Sequence, residues 1–311
     1  MSALITVFST PKPFSNPHIA VIQSNAIKSW MHLGPEVDAL LIGEEQGVAA
    51  AAKKEGICLI REVARNRQGT PLVNSIFQKA RENTTTPLLA YVNSDIILTP
   101  EFITVAKLIL KQAQKFLAVG RRWDLDIKQS LDFSTGWVQK LDKLVKDRGR
   151  IHPAGGSDYF IFPRDGFPNI PDLAIGRAGW DNWMIYEARR NGWLVVEATP
   201  TYMVIHQQHD YSHLPGGKPH YRHPESDENV RLAGGRHAIY TLADANYQLK
   251  DGRLVKIPLT WKKFWREIEI FPATGLKSPS LARFSHILFH PVKSYWRLRV
   301  WLSRIRREHL Q

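Results

Sequence analysis

The residues best placed to do chemistry form a short series. Asn93-Ser94-Asp95 follows the apolar run 88–92, and Thr99-Pro100 then opens a helix. A strand ending in Asn-Ser-Asp sets an acid at the carboxyl edge of a sheet, where open α/β folds bind ligands. Asp95 is there a metal-side or phosphate-side residue; in a chain of another class it would be only a turn residue. Thr10, Glu44, Arg65 and Arg121 stand at the ends of other expected strands. Each alone is as easily ordinary loop polarity, whereas together with Asn93 and Asp95 they fit a nucleotide site. No Gly-x-Gly-x-x-Gly follows the first strand and no Gly-x-x-x-x-Gly-Lys-Ser/Thr occurs, which argues against a dinucleotide Rossmann enzyme and a P-loop nucleotidase. A carboxylate-held divalent cation, Mn²⁺ or Mg²⁺, is the alternative way to neutralise a diphosphate.

These residues need a scaffold, and the first half of the chain supplies an alternating one. Strands are expected at 4–8, 37–42, 57–63, 88–92 and 116–119. Helices are expected from Asn16-Pro17 to Gly34, over 48–55, from Thr70-Pro71, and over 99–115. Asn or Thr caps followed by proline, and glycine stops, mark the helix ends. Such alternation implies an α/β fold with a mostly parallel sheet flanked by helices.

Composition sets the outer bounds. With 311 residues, 43% hydrophobic and 23% charged, the chain is long enough for a substantial core. One cysteine, Cys58, excludes a disulfide framework and suits a reducing compartment. The first eight residues lack a basic leader and run directly into a strand, so no signal peptide is expected and the expected location is cytoplasmic. The net charge of +13 favours anionic partners.

The second half reads as a charged, partly helical stretch over 123–150. A glycine turn and strand follow in Gly155-Gly156-Ser157-Asp158-Tyr159-Phe160. Ala178-Gly179-Trp180-Asp181-Asn182-Trp183 opens a helix, and two short strands follow, the second ending at His206, with His209 and His213 beyond. In this order the motifs resemble those of GT-A type glycosyltransferases, the nucleotide-diphospho-sugar-dependent fold that includes the family 2 enzymes. The resemblance covers residues 4–213.

The resemblance sets Asn93-Ser94-Asp95 where the family carries its Asp-x-Asp metal motif, with asparagine replacing the first aspartate. It sets Asp158 beside the donor sugar, Asp181 as the acceptor-side base, and a strand-end histidine at the metal. It therefore implies glycosyl transfer from a nucleotide-diphospho-sugar to a hydroxyl acceptor, Asp95 with His206 and then His209 as metal ligands, and Arg121 or Arg122 on the departing diphosphate. The helix N-terminus is expected to keep Asp181 ionised. Trp180 is expected to stack on a sugar. Plain readings stand beside each: a helix-cap aspartate, hydrogen-bonding histidines, core tryptophans. A nucleotidyltransferase and a non-catalytic sugar- or nucleotide-binding protein are the competing functions.

The sequence divides at about residue 213: a catalytic domain over 1–213 (nucleotide half 1–122, sugar and acceptor half 123–213), a lid or acceptor-side segment over 214–260, and a basic amphipathic helical extension over 261–311. Residues 281–311 hold seven Lys or Arg and one Glu, interleaved with Trp and Leu. That pattern suits an anionic membrane surface, with peripheral attachment and a glycan or lipid-linked acceptor. A basic helix packed on the domain is the alternative. No nucleic-acid module accompanies the charge, so no nucleic-acid partner is expected.

Overall fold

The computed structural model describes residues 3–209, 221, 223–292, 294, 295 and 299. His213 and most of the basic segment 293–307 lie outside the described residues.

The chain alternates β1 (Ile5–Ser9), α1 (Pro17–Met31), β2 (Val37–Ile42), α2 (Val48–Glu55), β3 (Cys58–Ile60), α3 (Val73–Glu82), β4 (Leu88–Val92), β5 (Ile96–Ile97), α4 (Glu101–Leu110) and β6 (Phe116–Val119). Local chemistry sets several of these boundaries. The Asn16 side chain accepts from the His18 and Ile19 amides with Pro17 in the first turn, and Gly56 ends α2 in the left-handed region. β1 and β4 are buried along their whole length, as strands covered on both faces must be. Phe8, Leu89 and Tyr91 face one core with α3, while Val7, Leu88 and Ala90 face the other with α1 and α4.

After β6 come β7 (Arg122–Leu125), α5 (Trp137–Arg148), β8 (Arg150–Ile151), β9 (Tyr159–Pro163), α6 (Trp180–Arg190), β10 (Leu194–Glu197) and β11 (Val204–Gln207). Then follow α7 (Pro224–Leu232), β12 (Tyr247–Lys250), β13 (Arg253–Lys256), α8 (Trp261–Thr274) and α9 (Pro279–Phe289). The main sheet has nine strands in the order β13-β12-β10-β6-β9-β4-β1-β2-β3, and a second sheet runs β5-β11-β7-β8. The fold is thus the expected mostly parallel α/β sheet flanked by helices.

Two features go beyond the sequence reading. β9 inserts antiparallel between β4 and β6; its wholly apolar face pattern does not differ from that of a buried parallel strand. β12 pairs parallel with β10, so residues 247–256 extend the main sheet.

The junction between the sheets positions the site. β4, β6 and β10 end in the main sheet, and the chain then enters β5, β7 and β11 of the small one. Because β9 is antiparallel, its start lies at the same edge, with Val92 opposite Tyr159. A buried amide layer pins this edge to α1. Gln23 accepts from the Lys12 amide and from Ser94, and Gln207 donates to the carbonyls of Ile22 and Asp95. Trp30, 1% exposed, donates its indole N–H to the Ile96 carbonyl at 3.0 Å. Trp30→Phe leaves that buried carbonyl without its donor, and the expected loss is about 1–3 kcal/mol in urea unfolding. A loss near zero would mean that the Asp95 loop is held by the amide layer alone.

Candidate functional site

Asp95 lies just before β5 and is 4% exposed. Its Oδ2 accepts from Lys12 Nζ at 2.9 Å and lies 3.1 Å from His209 Nε2, while its Oδ1 is buried with no hydrogen-bond partner among the described residues. Burial alone would raise its pKa. The Lys12 charge, the His209 hydrogen bond and the nearby His206 outweigh burial and hold it well below the usual carboxylate range. Lys12 had no signature in the sequence beyond following Thr10-Pro11.

His206, on β11, is oriented by Asp124 on the neighbouring strand β7, in register with it. His206 Nδ1 lies 3.0 Å from Asp124 Oδ1. Burial would raise Asp124, but hydrogen bonds from His206 and His152 and the charge of Arg122 depress it far more. An ionised Asp124 accepts the Nδ1 proton and leaves Nε2 with its lone pair, which is how carboxylates prepare histidine ligands. Sequence reasoning missed Asp124, whose role depends on a strand pairing that no local motif announces.

Asp95, His206 and His209 each offer a ligand atom within 4.8 Å of the others. Asp95 Oδ2 and His209 Nε2 both face the Lys12 ammonium, at 2.9 and 3.0 Å, so a divalent cation held by these atoms would take over the place of that positive charge. The orphaned Oδ1 adds a further donor. A mixed carboxylate and imidazole set suits Mn²⁺ better than the harder Mg²⁺, so the residues fit a divalent cation.

Asn93 sits apart from these ligands. Its amide side chain donates to Asp158 Oδ1 at 3.0 Å, and its backbone N–H to the Asp158 carbonyl at 2.9 Å. Arg122 pairs with both Asp158 and Asp124. An aspartate at 93 would set two carboxylates against each other, which explains the replacement of the first acid in Asp-x-Asp. Arg122, not Arg121, is the arginine inside the cluster: Arg121 Nε donates to the His152 carbonyl.

Along the same edge, Arg65 pairs with Glu45 at 2.8 Å, while Glu44 is exposed to solvent. Ser9 Oγ, Thr10 Oγ1 and Glu45 Oε2 are buried without partners among the described residues. The inward acid is thus Glu45, one residue beyond the expected Glu44. A single step along a chain turning out of a strand reverses which side chain faces in.

Asp181 lies in the first turn of α6, after Gly179, whose φ of 106° favours glycine. Burial is the largest influence on Asp181 and pushes it up, to about 6. Backbone groups of Asn182, Ser157 and Gly179 pull it back, and the Asp158 charge adds to the rise. Asp181 is thus ionised at neutral pH, as expected, but desolvation outweighs the helix terminus and leaves it more basic than an ordinary carboxylate. The expectation for Trp180 is corrected. At 5% exposed, packed edge-on against Tyr91 at 5.0 Å and Phe160 at 5.4 Å, it belongs to the core and presents no face to a sugar.

A cleft of about 590 Å³ opens over the cluster, lined by His18, Arg122, Asp124, His206 and His209 among others. Asp124→Asn is expected to weaken Mn²⁺ binding by about 10–100-fold in calorimetry with the thermal midpoint little changed. Unaltered affinity would show that His206 does not depend on Asp124 for its tautomer.

No protein-family model matches the chain, and no curated protein matches it. Among solved structures, the chain is similar to glucosyl-3-phosphoglycerate synthase from Mycobacterium tuberculosis in complex with Mn²⁺, UDP and glucosyl-3-phosphoglycerate, at 13% identity and a TM-score of 0.46, covering 82% of this chain and 88% of that one. The UDP complex of the same enzyme matches at 14% identity and a TM-score of 0.47, covering 75% and 81%. A mannosyltransferase from Pyrobaculum calidifontis in complex with GDP-Man and Mn²⁺ matches at 8% identity and a TM-score of 0.45, covering 68% and 59%.

Proposed function

We propose that the protein is a divalent-cation-assisted glycosyltransferase of the GT-A type, moving a sugar from a nucleotide-diphosphate donor to a hydroxyl acceptor. One observation carries this reading. A ligand triad fit for a cation (Asp95, His206, His209) and a carboxylate raised to about 6 (Asp181) share one sheet edge, linked through Asp158.

When bound, the cation supplies charge neutralisation for the departing diphosphate. The chain's own residues do the rest. Lys12 and Arg122 bring positive charge to the same side, and both are held by carboxylates in the geometry described above. The unpartnered Ser9, Thr10 and Glu45 oxygens, with Arg65 beside them, offer hydrogen bonds to a nucleoside. Asp181 accepts the acceptor hydroxyl's proton. A pKa of about 6 keeps it ionised at neutral pH yet more basic than an ordinary carboxylate, as suits a general base. Such a raised carboxylate beside a cation site favours catalysis over mere sugar binding. The finer reading is hexosyl transfer to a glycan or lipid-linked hydroxyl.

Calorimetry with a panel of nucleotide sugars, with and without Mn²⁺, is the first test; no binding to any of them overturns the proposal. Asp95→Ala is expected to abolish the Mn²⁺-dependent part of donor binding. Asp181→Asn is expected to spare donor binding and lower turnover by about 10²–10⁴-fold. Equal loss of both properties in both variants would contradict the assigned roles. Turnover of the wild type should be flat above pH 6 and fall about tenfold per pH unit below it, since the base must be unprotonated. A profile flat down to the ordinary carboxylate range, about 4, would remove Asp181 as the base.

A further inference from the structure

The helical pair α8–α9 is built inside out. Lys263, Arg266, Glu267 and Glu269 of α8 point into the protein, where they form a network with neighbouring elements. Lys263 donates to the Ala243 and Ala245 carbonyls, Arg189 pairs with Glu267, and Arg266 pairs with Asp244 and Glu269. Glu269, 7% exposed, also pairs with His286 of α9 and with His290 just after it. Only small residues and Ile270 complete the inner seam, and Ser285 donates to the Glu269 carbonyl.

The large apolar side chains point outward. Trp261, Phe284 and Leu288 are 73%, 66% and 64% exposed, and Trp265, Phe271 and Val292 are exposed beside them. Trp261, Phe264 and Trp265 pack on one another at the start of α8, their ring centroids 5.5–5.7 Å apart. Soluble surfaces rarely gather so many large apolar groups. Ordinary helix packing would have turned them inward and the charges outward.

Charge identifies the occupant. From Ile270 to Arg307 the sequence holds eight Lys or Arg and no Asp or Glu. On α8, the two acids Glu267 and Glu269 are both engaged in the inward network, whereas Lys262, Lys277 and Arg283 are exposed. Exposed apolar and indole groups accompanied by exposed Lys262, Lys277 and Arg283, with no exposed acid on α8 or α9, match the interfacial layer of an anionic bilayer. The helices cannot span it: α8 has 14 residues and α9 has 11, giving roughly 21 and 16 Å at about 1.5 Å per residue against a hydrocarbon core of about 30 Å. Among the described residues no helix is long and apolar enough to cross a membrane.

We infer that the outward face of α8–α9 docks in the plane of an anionic membrane surface, Trp261, Trp265, Phe284 and Leu288 entering the interface while Lys277 and Arg283 meet lipid phosphates. The inference is independent of the glycosyl-transfer reading. The sequence points to the whole extension over 261–311 as the membrane-facing part; which side chains of α8 and α9 face outward comes from the structure.

The test is flotation of the full chain with vesicles of phosphatidylglycerol and phosphatidylcholine, and with phosphatidylcholine alone. The wild type should float with the mixed vesicles, and at least tenfold less with phosphatidylcholine. Phe284→Asp with Leu288→Asp, both exposed positions, should lose at least tenfold in flotation while keeping the wild-type circular-dichroism melt. Lys277→Gln with Arg283→Gln should narrow the difference between the two vesicle types. A wild type that stays with the pellet, or an aspartate pair that floats as well as the wild type, overturns the inference. So does concentration-dependent self-association in sedimentation velocity that the aspartate pair abolishes without any vesicle binding, which would make the face a contact between two copies.

Discussion

A carboxylate buried at the end of a central strand cannot remain ionised without cationic company, because desolvation penalises the charge. Asp95 is in that position, and the architecture around it can be read as the answer to its charge. Lys12, from the loop after β1, and His209, from the chain after β11, converge on one oxygen. Asp124 and Asp158 then hold His206 and Arg122 in reach. The buried amides of Gln23 and Gln207 fix the backbones that carry Lys12 and Asp95. Remove that constraint and there is little reason for so many polar groups to be enclosed between two sheets.

The same constraint explains how the site is divided. Opposite charges are kept close on the diphosphate side, where Arg122 bridges Asp124 and Asp158. Asp181 has no such cation among the influences that set its pKa, so burial prevails and its proton affinity rises toward neutrality. Two acids on one sheet edge thus acquire opposite properties, one suited to holding positive charge and the other to accepting a proton. The main and small sheets meet where these properties are needed, and the antiparallel β9 delivers Asp158 between them.

Much of this scaffold was legible in the sequence. β2, α2 and β6 occur at the expected bounds because alanine, glycine and β-branched runs leave few alternatives. Asp95, His206 and His209, expected at a metal, come within 4.8 Å of one another. What escaped was whatever depends on pairing or on the direction of a single side chain. The apolar strand Tyr159–Pro163 does not declare its antiparallel direction. Glu44 against Glu45, and Arg121 against Arg122, are decided by which way the chain turns as it leaves the strand. Asn93, expected at the nucleotide site in place of the first motif aspartate, is a donor to Asp158. Trp180 resembled a sugar platform, but its neighbours Tyr91 and Phe160 are distant in sequence and enclose it.

The central claim is that Asp95 and the two histidines hold a cation that in turn holds a nucleoside diphosphate. Pulsed electron paramagnetic resonance of protein-bound Mn²⁺ with UDP or GDP tests it directly. The account predicts nitrogen couplings from two imidazoles, each removed by substituting His206 or His209, together with phosphorus coupling from the diphosphate. A bound Mn²⁺ showing phosphorus coupling but no imidazole nitrogen would contradict it.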